Sequence, residues 1–143
     1  MTHSSGKFSV MRVGEWAAAL IGAVNCILVP LAFAQSGSDF PLPGLYFIEI
    51  AALGVLVLLF VADRPRLGAR WNALPWAVAG ITLAFVILGG FSIGFFLIPA
   101  FLSFTTTGVL VDLQTGGAIA GHLGFLIVAA VAQAALMALL ILL

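Results

Sequence analysis

Charged side chains are scarce in this chain of 143 residues, since only 7% of them are Asp, Glu, Lys or Arg. A soluble domain carries about 25%, so a globular domain with a water-facing surface all round is excluded. Five basic and five acidic residues give a net charge of zero, which excludes the basic footprint of a nucleic-acid-binding protein. The single cysteine, Cys26, excludes an internal disulfide and a multi-cysteine metal site.

Patterns of catalytic residues are missing as well. The chain contains no G-x-S-x-G nucleophile elbow, no H-E-x-x-H zinc pair and no glycine-rich phosphate loop followed by Lys. No two carboxylates stand at helical spacing. We therefore expect no catalytic residues, no metal site and no enzymatic activity.

Apolar residues dominate what is present, at 64% of the chain. One run of 36 residues, Pro75 to Leu110, holds no charged side chain. As a single helix it would be roughly 54 Å long, whereas the hydrocarbon core of a bilayer is about 30 Å thick. The run is therefore expected to fold back at Gly89–Gly94, which predicts an all-α, polytopic transmembrane helical bundle with a tight apolar hairpin.

The rest of the chain divides into spans of similar length. The first apolar stretch is longer than the ~7–15 residues of a signal-peptide core, so it is interpreted as a retained span. We expect a single integral membrane domain over residues 1–143. Its predicted spans are 13–34, 44–61, 73–90, 95–111 and 118–143. The alternative is four spans, with the long run as one re-entrant or bent segment.

The basic residues predict the orientation. All five lie in the N-terminal tail or between the second and third spans, and the positive-inside rule assigns both segments to the cytoplasm. The loop Gln35–Pro43 and the Gly89–Gly94 turn would then lie outside. We expect a lipid-embedded protein of the bacterial cytoplasmic (inner) membrane, with its N-terminus inside and, for five spans, its C-terminus outside.

Small residues at helical spacing predict where helices pack, because backbones approach closely only there. The first span carries such a ridge, and the fifth carries two. These ridges are expected to pack within the chain or against another subunit. Their members are Gly14, Ala18 and Gly22 in the first span, Gly117 and Gly121 at the start of the fifth, and Ala130, Ala134 and Ala138 further along it.

Four of the polar residues within the predicted spans are the main candidate functional positions. They are Glu49, Asn25, Gln133 and His122. Helix rise assigns Glu49, Asn25 and Gln133 to the outer half or centre of the membrane. Glu49 is expected to be ionised near the interface, or neutral and hydrogen-bonded to Asn25 or Gln133. Glu49 would then act either as a structural polar clamp between helices or as part of a proton or ion path.

His122 has three interpretations. It hydrogen-bonds near the cytoplasmic interface, it relays protons with Glu15 or Asp112, or it ligates a tetrapyrrole. The last follows from the A-x-x-x-H spacing of Ala118 and His122, which resembles the pigment-binding histidine of bacterial light-harvesting polypeptides. The resemblance implies axial ligation, with the small residue leaving space for a flat macrocycle.

Few chemical groups, several small-residue ridges and the lack of long soluble loops together predict a non-catalytic membrane subunit. It would be an accessory or scaffold chain of a larger, bioenergetic assembly. One alternative is a homo-oligomeric channel or a small-solute or proton transporter. Another is a pigment- or haem-binding chain. Expected partners are the lipid bilayer and other membrane proteins or further copies of the chain, with no nucleic acid.

Overall fold

A computed structural model describes residues 4–34, 43–90 and 92–142. These residues form five α-helices, two short 3₁₀ helices and no strand. The Gln35–Pro43 loop lies outside the described residues, apart from its last position. The helices are α1 (Ser4–Ala34), α2 (Pro43–Asp63), α3 (Leu74–Leu88), α4 (Ile98–Thr115) and α5 (Ile119–Leu142), and the 3₁₀ helices are Ala69–Ala73 and Gly94–Leu97.

All five helices are long and apolar enough to cross a membrane when the 3₁₀ turns before α3 and α4 are included. The predicted all-α bundle with five spans is therefore confirmed, and the long apolar run is two helices rather than one bent element. The end of the fourth span differs from the prediction: α4 continues to Thr115, so Asp112 lies in a helix and not in a loop. The helix continues because hydrogen-bond donors inside the bundle satisfy the Asp112 carboxylate.

The hairpin turn forms at the predicted glycines. Gly94 donates its N–H to the Gly89 carbonyl at 2.7 Å, and the Ser92 N–H donates to the same oxygen at 2.8 Å. A Cβ on Gly94 would lie 2.5 Å from the Gly89 carbonyl carbon, so no larger residue fits. Pro75 and Pro99 fall in the first turns of α3 and α4, where a missing N–H breaks no helical hydrogen bond.

The helices pack as a four-helix core with a fifth helix outside it. α1 packs against α2 and α4, and α3 packs against α4 and, more sparingly, α2. α5 packs mainly against α3. The centre of the core is apolar and includes Ala19, Val57, Trp76, Leu97 and Phe104. α5 is therefore the peripheral element of the bundle.

Two short connections, residues 64–73 between α2 and α3 and residues 116–118 between α4 and α5, bring the same ends of the helices together. Gly116 adopts the left-handed conformation at φ 67°, and Gly117 donates its N–H to the Asp112 carbonyl at 3.0 Å. This is a glycine-terminated helix end, and it returns the chain beside α4. The starts of α1, α3 and α5 consequently meet the ends of α2 and α4, and we call this the charged end because Arg12 and Arg64 lie there.

Candidate functional site

A buried carboxylate, Glu15, is the centre of a polar cluster at the charged end. It lies in α1 with no exposed surface. Arg64 Nη1 donates a short hydrogen bond to Glu15 Oε2, and Gln114 Nε2 donates to the same oxygen at 3.1 Å. Arg12 Nη1 lies 3.4 Å from Oε1. Because residues three apart are neighbours on a helix surface, α1 supplies both members of the Arg12–Glu15 pair.

The two arginines connect three helices through this carboxylate. Arg12 Nη2 also donates to the carbonyl of Val61 near the end of α2, at 3.0 Å. Arg64, which directly follows α2, also donates to Gln114 Oε1 on α4 at 3.2 Å. Removing one partner of a buried ion pair leaves an uncompensated charge, which costs about 3–5 kcal/mol. The cluster therefore fixes how α1, α2 and α4 meet.

A second buried carboxylate, Asp112, connects α4 to the remaining two helices. It is 1% exposed. Trp76 Nε1 on α3 donates to Asp112 Oδ2 at 3.1 Å. His122 Nδ1 on α5 lies 2.8 and 2.9 Å from the two carboxylate oxygens. With the proton on Nδ1 directed at the carboxylate, Nε2 is the nitrogen of His122 that accepts a hydrogen bond or a proton.

Two glycines make room for this second cluster. A Cβ on Gly108 would lie 2.8 Å from Trp76 Nε1, and a Cβ on Gly117 would lie 2.5 Å from Asp112 Oδ1. Real Cβ atoms do not approach other heavy atoms so closely, so a larger residue would displace the indole or the carboxylate. The glycines thus bring both side chains into hydrogen-bonding range.

An open cleft of about 460 Å³ lies beside His122, between the α2–α3 connection and the α4–α5 turn. Arg64, Asn72 and Thr115 give it polar walls. Asn72 Nδ2 donates to Thr115 Oγ1 at 3.3 Å across the cleft wall. The remaining lining residues are small or apolar: Leu67, Ala69, Gly116, Gly117 and Ala118.

The other three predicted intramembrane polar residues lie away from this cleft. The side chain of Glu49 in α2 meets that of Gln133 in α5. Gln133 is only 6% exposed, yet its Nε2 has no hydrogen-bond partner among the described residues. The same holds for Asn25 Oδ1. Of the two hydrogen-bond partners expected for Glu49, Gln133 comes near it, but Gln133 Nε2 donates no hydrogen bond to it.

The sequence offered Glu15 and Asp112 as alternative partners of His122. The structure pairs His122 with Asp112, whereas Glu15 contacts Arg12 and Arg64. The cleft beside His122 does not include Glu49, Asn25 or Gln133. His122 and Gln133 are 11 positions apart on α5, which is roughly 16 Å of helix rise. The four candidates are thus divided between two levels of the bundle.

Sequence reasoning missed the partners of both carboxylates. Arg64 and Gln114 stood in the predicted connections between spans. A usable signal was present, since the layout already assigned Glu15, Arg64 and Asp112 to one end of the bundle. Which of these charges pair could not be read from it, because pairing depends on how the helices are rotated.

The predicted small-residue ridges have different environments. Gly14, Ala18 and Gly22 face α4 or the core: a Cβ on Gly22 would lie 2.5 Å from Phe104 Cε1, and Ala18 is buried. This ridge is therefore used within the chain.

On α5 the pattern differs. A Cβ on Gly121 would meet only Ala118, at 3.8 Å, so Gly121 packs on no other helix among the described residues. Ala130 and Ala134 are half-buried, and Ala138 is exposed. The ridge of α5 that faces α3 instead contains Leu126, Ala129 and Gln133, and there Gly80 of α3 approaches the Leu126 carbonyl.

The surroundings of His122 do not fit a tetrapyrrole. Its hydrogen bond to Asp112 does leave Nε2 available, as in many metal-ligating histidines. However, ligand pockets of this kind are lined mainly by hydrophobic and aromatic side chains, whereas Arg64, Asn72 and Thr115 give the adjoining cleft polar walls and, among the described residues, no aromatic ring lines it besides that of His122. The polar wall favours a small polar ligand over a flat apolar ring.

The fold and the two clusters define a class: a five-helix bundle built to lie in a membrane, with its buried charges gathered at one end. Comparisons with protein-family models, with curated proteins and with solved structures found no significant match for the chain.

Proposed function

We propose that this chain is a non-catalytic subunit of a larger membrane assembly, in which it acts as an accessory or scaffold chain and docks through α5. The burial of α5 carries this proposal. Only 11% of its most apolar 18-residue window is buried inside the bundle, against 33–50% for the windows of the other four helices. A helix with so small a buried share has most of its surface available to a partner.

The exposed side of α5 has a regular pattern. Its members recur in alternate steps of three and four, which is the spacing of a coiled-coil seam. All are exposed, and they lie opposite the ridge that packs on α3. We call this set the α5 seam: Gly121, Gly124, Val128, Val131, Ala135 and Ala138.

Residue size favours a protein partner over lipid at the α5 seam. Lipid tails pack equally well against large aliphatic side chains, whereas small residues allow a second helix backbone to approach closely. A Cβ on Gly124 would meet nothing within 4 Å, so no part of the described chain fills the space. Large aliphatic residues such as Leu123 and Ile127 flank the seam. The proposed occupant is a transmembrane helix of a different polypeptide.

The polar clusters support a structural role for the rest of the bundle. Glu15 and Asp112 are fully engaged by side chains of neighbouring helices, which suits a rigid scaffold better than a reaction centre. The basic residues of the charged end favour the cytoplasmic side of a bacterial inner membrane. α5 would then end on the outside.

Native purification tests the proposal. The full chain is extracted in a mild detergent, and its co-purifying polypeptides are identified and quantified. We expect at least one membrane polypeptide in fixed stoichiometry. Gly124→Leu should reduce its recovery at least several-fold, whereas Val55→Leu, at an exposed position of α2, should leave it unchanged. A partner-free, monodisperse oligomer would contradict the proposal.

A homo-oligomeric channel or proton transporter is the second candidate. It is favoured by buried polar atoms without partners among the described residues, Asn25 Oδ1, Tyr46 Oη and Gln133 Nε2. Such atoms usually bond water or a ligand. Proton flux into proteoliposomes would decide: flux that Glu49→Gln abolishes supports transport, and impermeable vesicles contradict it.

A further inference from the structure

We propose that the cleft beside His122 binds an anionic phosphate group, with Arg64 as its main ligand. This inference does not depend on the role of α5. It follows from an imbalance in the hydrogen bonds of one buried side chain. The Arg64 side chain is only 10% exposed, yet much of its hydrogen-bonding capacity has no acceptor within the described part of the chain.

The imbalance is visible atom by atom. Both hydrogen bonds that Arg64 donates to described residues, to Glu15 and to Gln114, leave from Nη1. A guanidinium group has five N–H donors, so Nη2 and Nε retain three among these residues. Neither Nη2 nor Nε is one of the fully buried side-chain atoms that lack a hydrogen-bond partner, so both atoms keep some accessible surface. Since Arg64 lines the cleft, an acceptor that enters the cleft can reach this side chain.

Other groups around the cleft suit the same ligand. Asn72 contributes a side-chain amide whose N–H groups can donate to an oxygen atom. The cleft also borders the start of α5, where first-turn N–H groups attract anions. Gly117 and Ala118 line it there. A planar guanidinium edge and several N–H donors match the oxygens of a phosphate, because paired N–H···O bonds from Arg are geometrically specific.

The charged lining of the cleft is also favourable. Arg64 is the one formally charged side chain among its described lining residues. The carboxylates of Glu15 and Asp112 are bonded by neighbouring side chains, are at most 1% exposed and do not line the cleft. An anion that enters the cleft therefore meets a positive side chain first.

Position then suggests where the phosphate comes from. The cleft lies at the end of the apolar spans, at the level where a bilayer has its headgroups, and basic pockets between helices at this level bind anionic headgroups. A phospholipid and a soluble phosphate offer the same chemistry. The experiment must therefore separate the two sources.

Thermal unfolding of the purified full chain in a neutral detergent is the test. It is titrated with phosphatidylglycerol, with diacylglycerol, which has no phosphate, and with inorganic phosphate. We expect phosphatidylglycerol to raise the melting temperature saturably and diacylglycerol to have no effect. Stabilisation by inorganic phosphate that competes with the lipid would instead assign the site to a soluble phosphate. No stabilisation by either phosphate source would overturn the proposal.

Two variants localise the effect. Arg64→Lys keeps the charge and the contact with Glu15 but removes the guanidinium edge, so the apparent affinity should fall about tenfold or more, the loss expected for a charge-assisted hydrogen bond. Arg66→Lys, the same change at an exposed arginine outside the cleft, should have no effect. Equal losses of affinity in Arg64→Lys and Arg66→Lys would refute the proposed site.

A second pair of variants tests the same site if Arg64→Lys does not fold. Ala118→Leu fills the cleft from an exposed position without replacing any member of the two carboxylate clusters, and it should weaken phosphate binding as strongly. Ala120→Leu adds the same bulk two positions further along α5, outside the cleft lining, and should bind normally. Unchanged binding in Ala118→Leu would overturn the proposal.

Discussion

Replacing Glu15 by Gln should destabilise the bundle more than any other change of a single charge at the charged end. The side chain has no exposed surface and receives hydrogen bonds from Arg64 and Gln114, with Arg12 alongside. The substitution keeps the shape and one acceptor oxygen but leaves Arg64, itself only 10% exposed, without its counter-ion. Breaking a buried pair in this way costs about 3–5 kcal/mol, and the retained oxygen puts Gln near the lower limit.

The free energy of unfolding in mixed micelles, from titration with a denaturing detergent, measures this loss. Asp63→Asn is the matched control, because Asp63 forms an ion pair with Arg66 in which the two side chains are 50% and 86% exposed, respectively. Exposed ion pairs of this kind contribute about 0–1 kcal/mol to stability. Adding Arg64→Gln to Glu15→Gln should cost less than the sum of the two single changes. Equal effects of Glu15→Gln and Asp63→Asn would refute the reasoning.

Three further predictions concern packing and backbone geometry, and the same titration checks each. Trp76→Phe removes a hydrogen-bond donor from buried Asp112 and should cost about 1–3 kcal/mol; an unchanged stability would show that the indole bond contributes nothing. Gly80→Val drives a side chain into the α5 backbone and should cost about 1–3 kcal/mol, with faster thiol labelling of a cysteine introduced at Ala129; unchanged labelling would contradict the α3–α5 contact. Gly116→Ala should cost about 1–2 kcal/mol because φ is positive there, whereas Gly68→Ala, with φ −74°, should not.

The helices and the hairpin were predictable because their signals are local or set by length. The apolar run is too long for one membrane crossing, so the chain must turn within it. The turn is expected where the run is interrupted by glycines, at Gly89, Gly90 and Gly94. The prolines that open α3 and α4 strengthen the same boundaries. The end of α4 was placed too early because Asp112 resembles a loop residue until its donors are known.

The site was predicted only in outline. Residue spacing indicated which polar groups lie in the spans, but not how each helix is rotated about its axis. That rotation decides that Glu15 meets Arg64, that His122 meets Asp112, and that Gly121 faces outwards while Gly22 packs on Phe104. It depends on interlocking side chains across the whole bundle, which one sequence read segment by segment does not contain.

The most direct test of α5 as a docking helix is a photo-crosslinking scan along it in native membranes. A photoreactive residue is placed in turn at the seam positions Gly124, Val128 and Ala135 and at the flanking positions Leu123 and Ile127, all exposed. We predict adducts with one other membrane polypeptide from the seam positions, and only lipid adducts from the flanking ones. Protein adducts of equal yield at all five positions, or none at any, would contradict docking through α5.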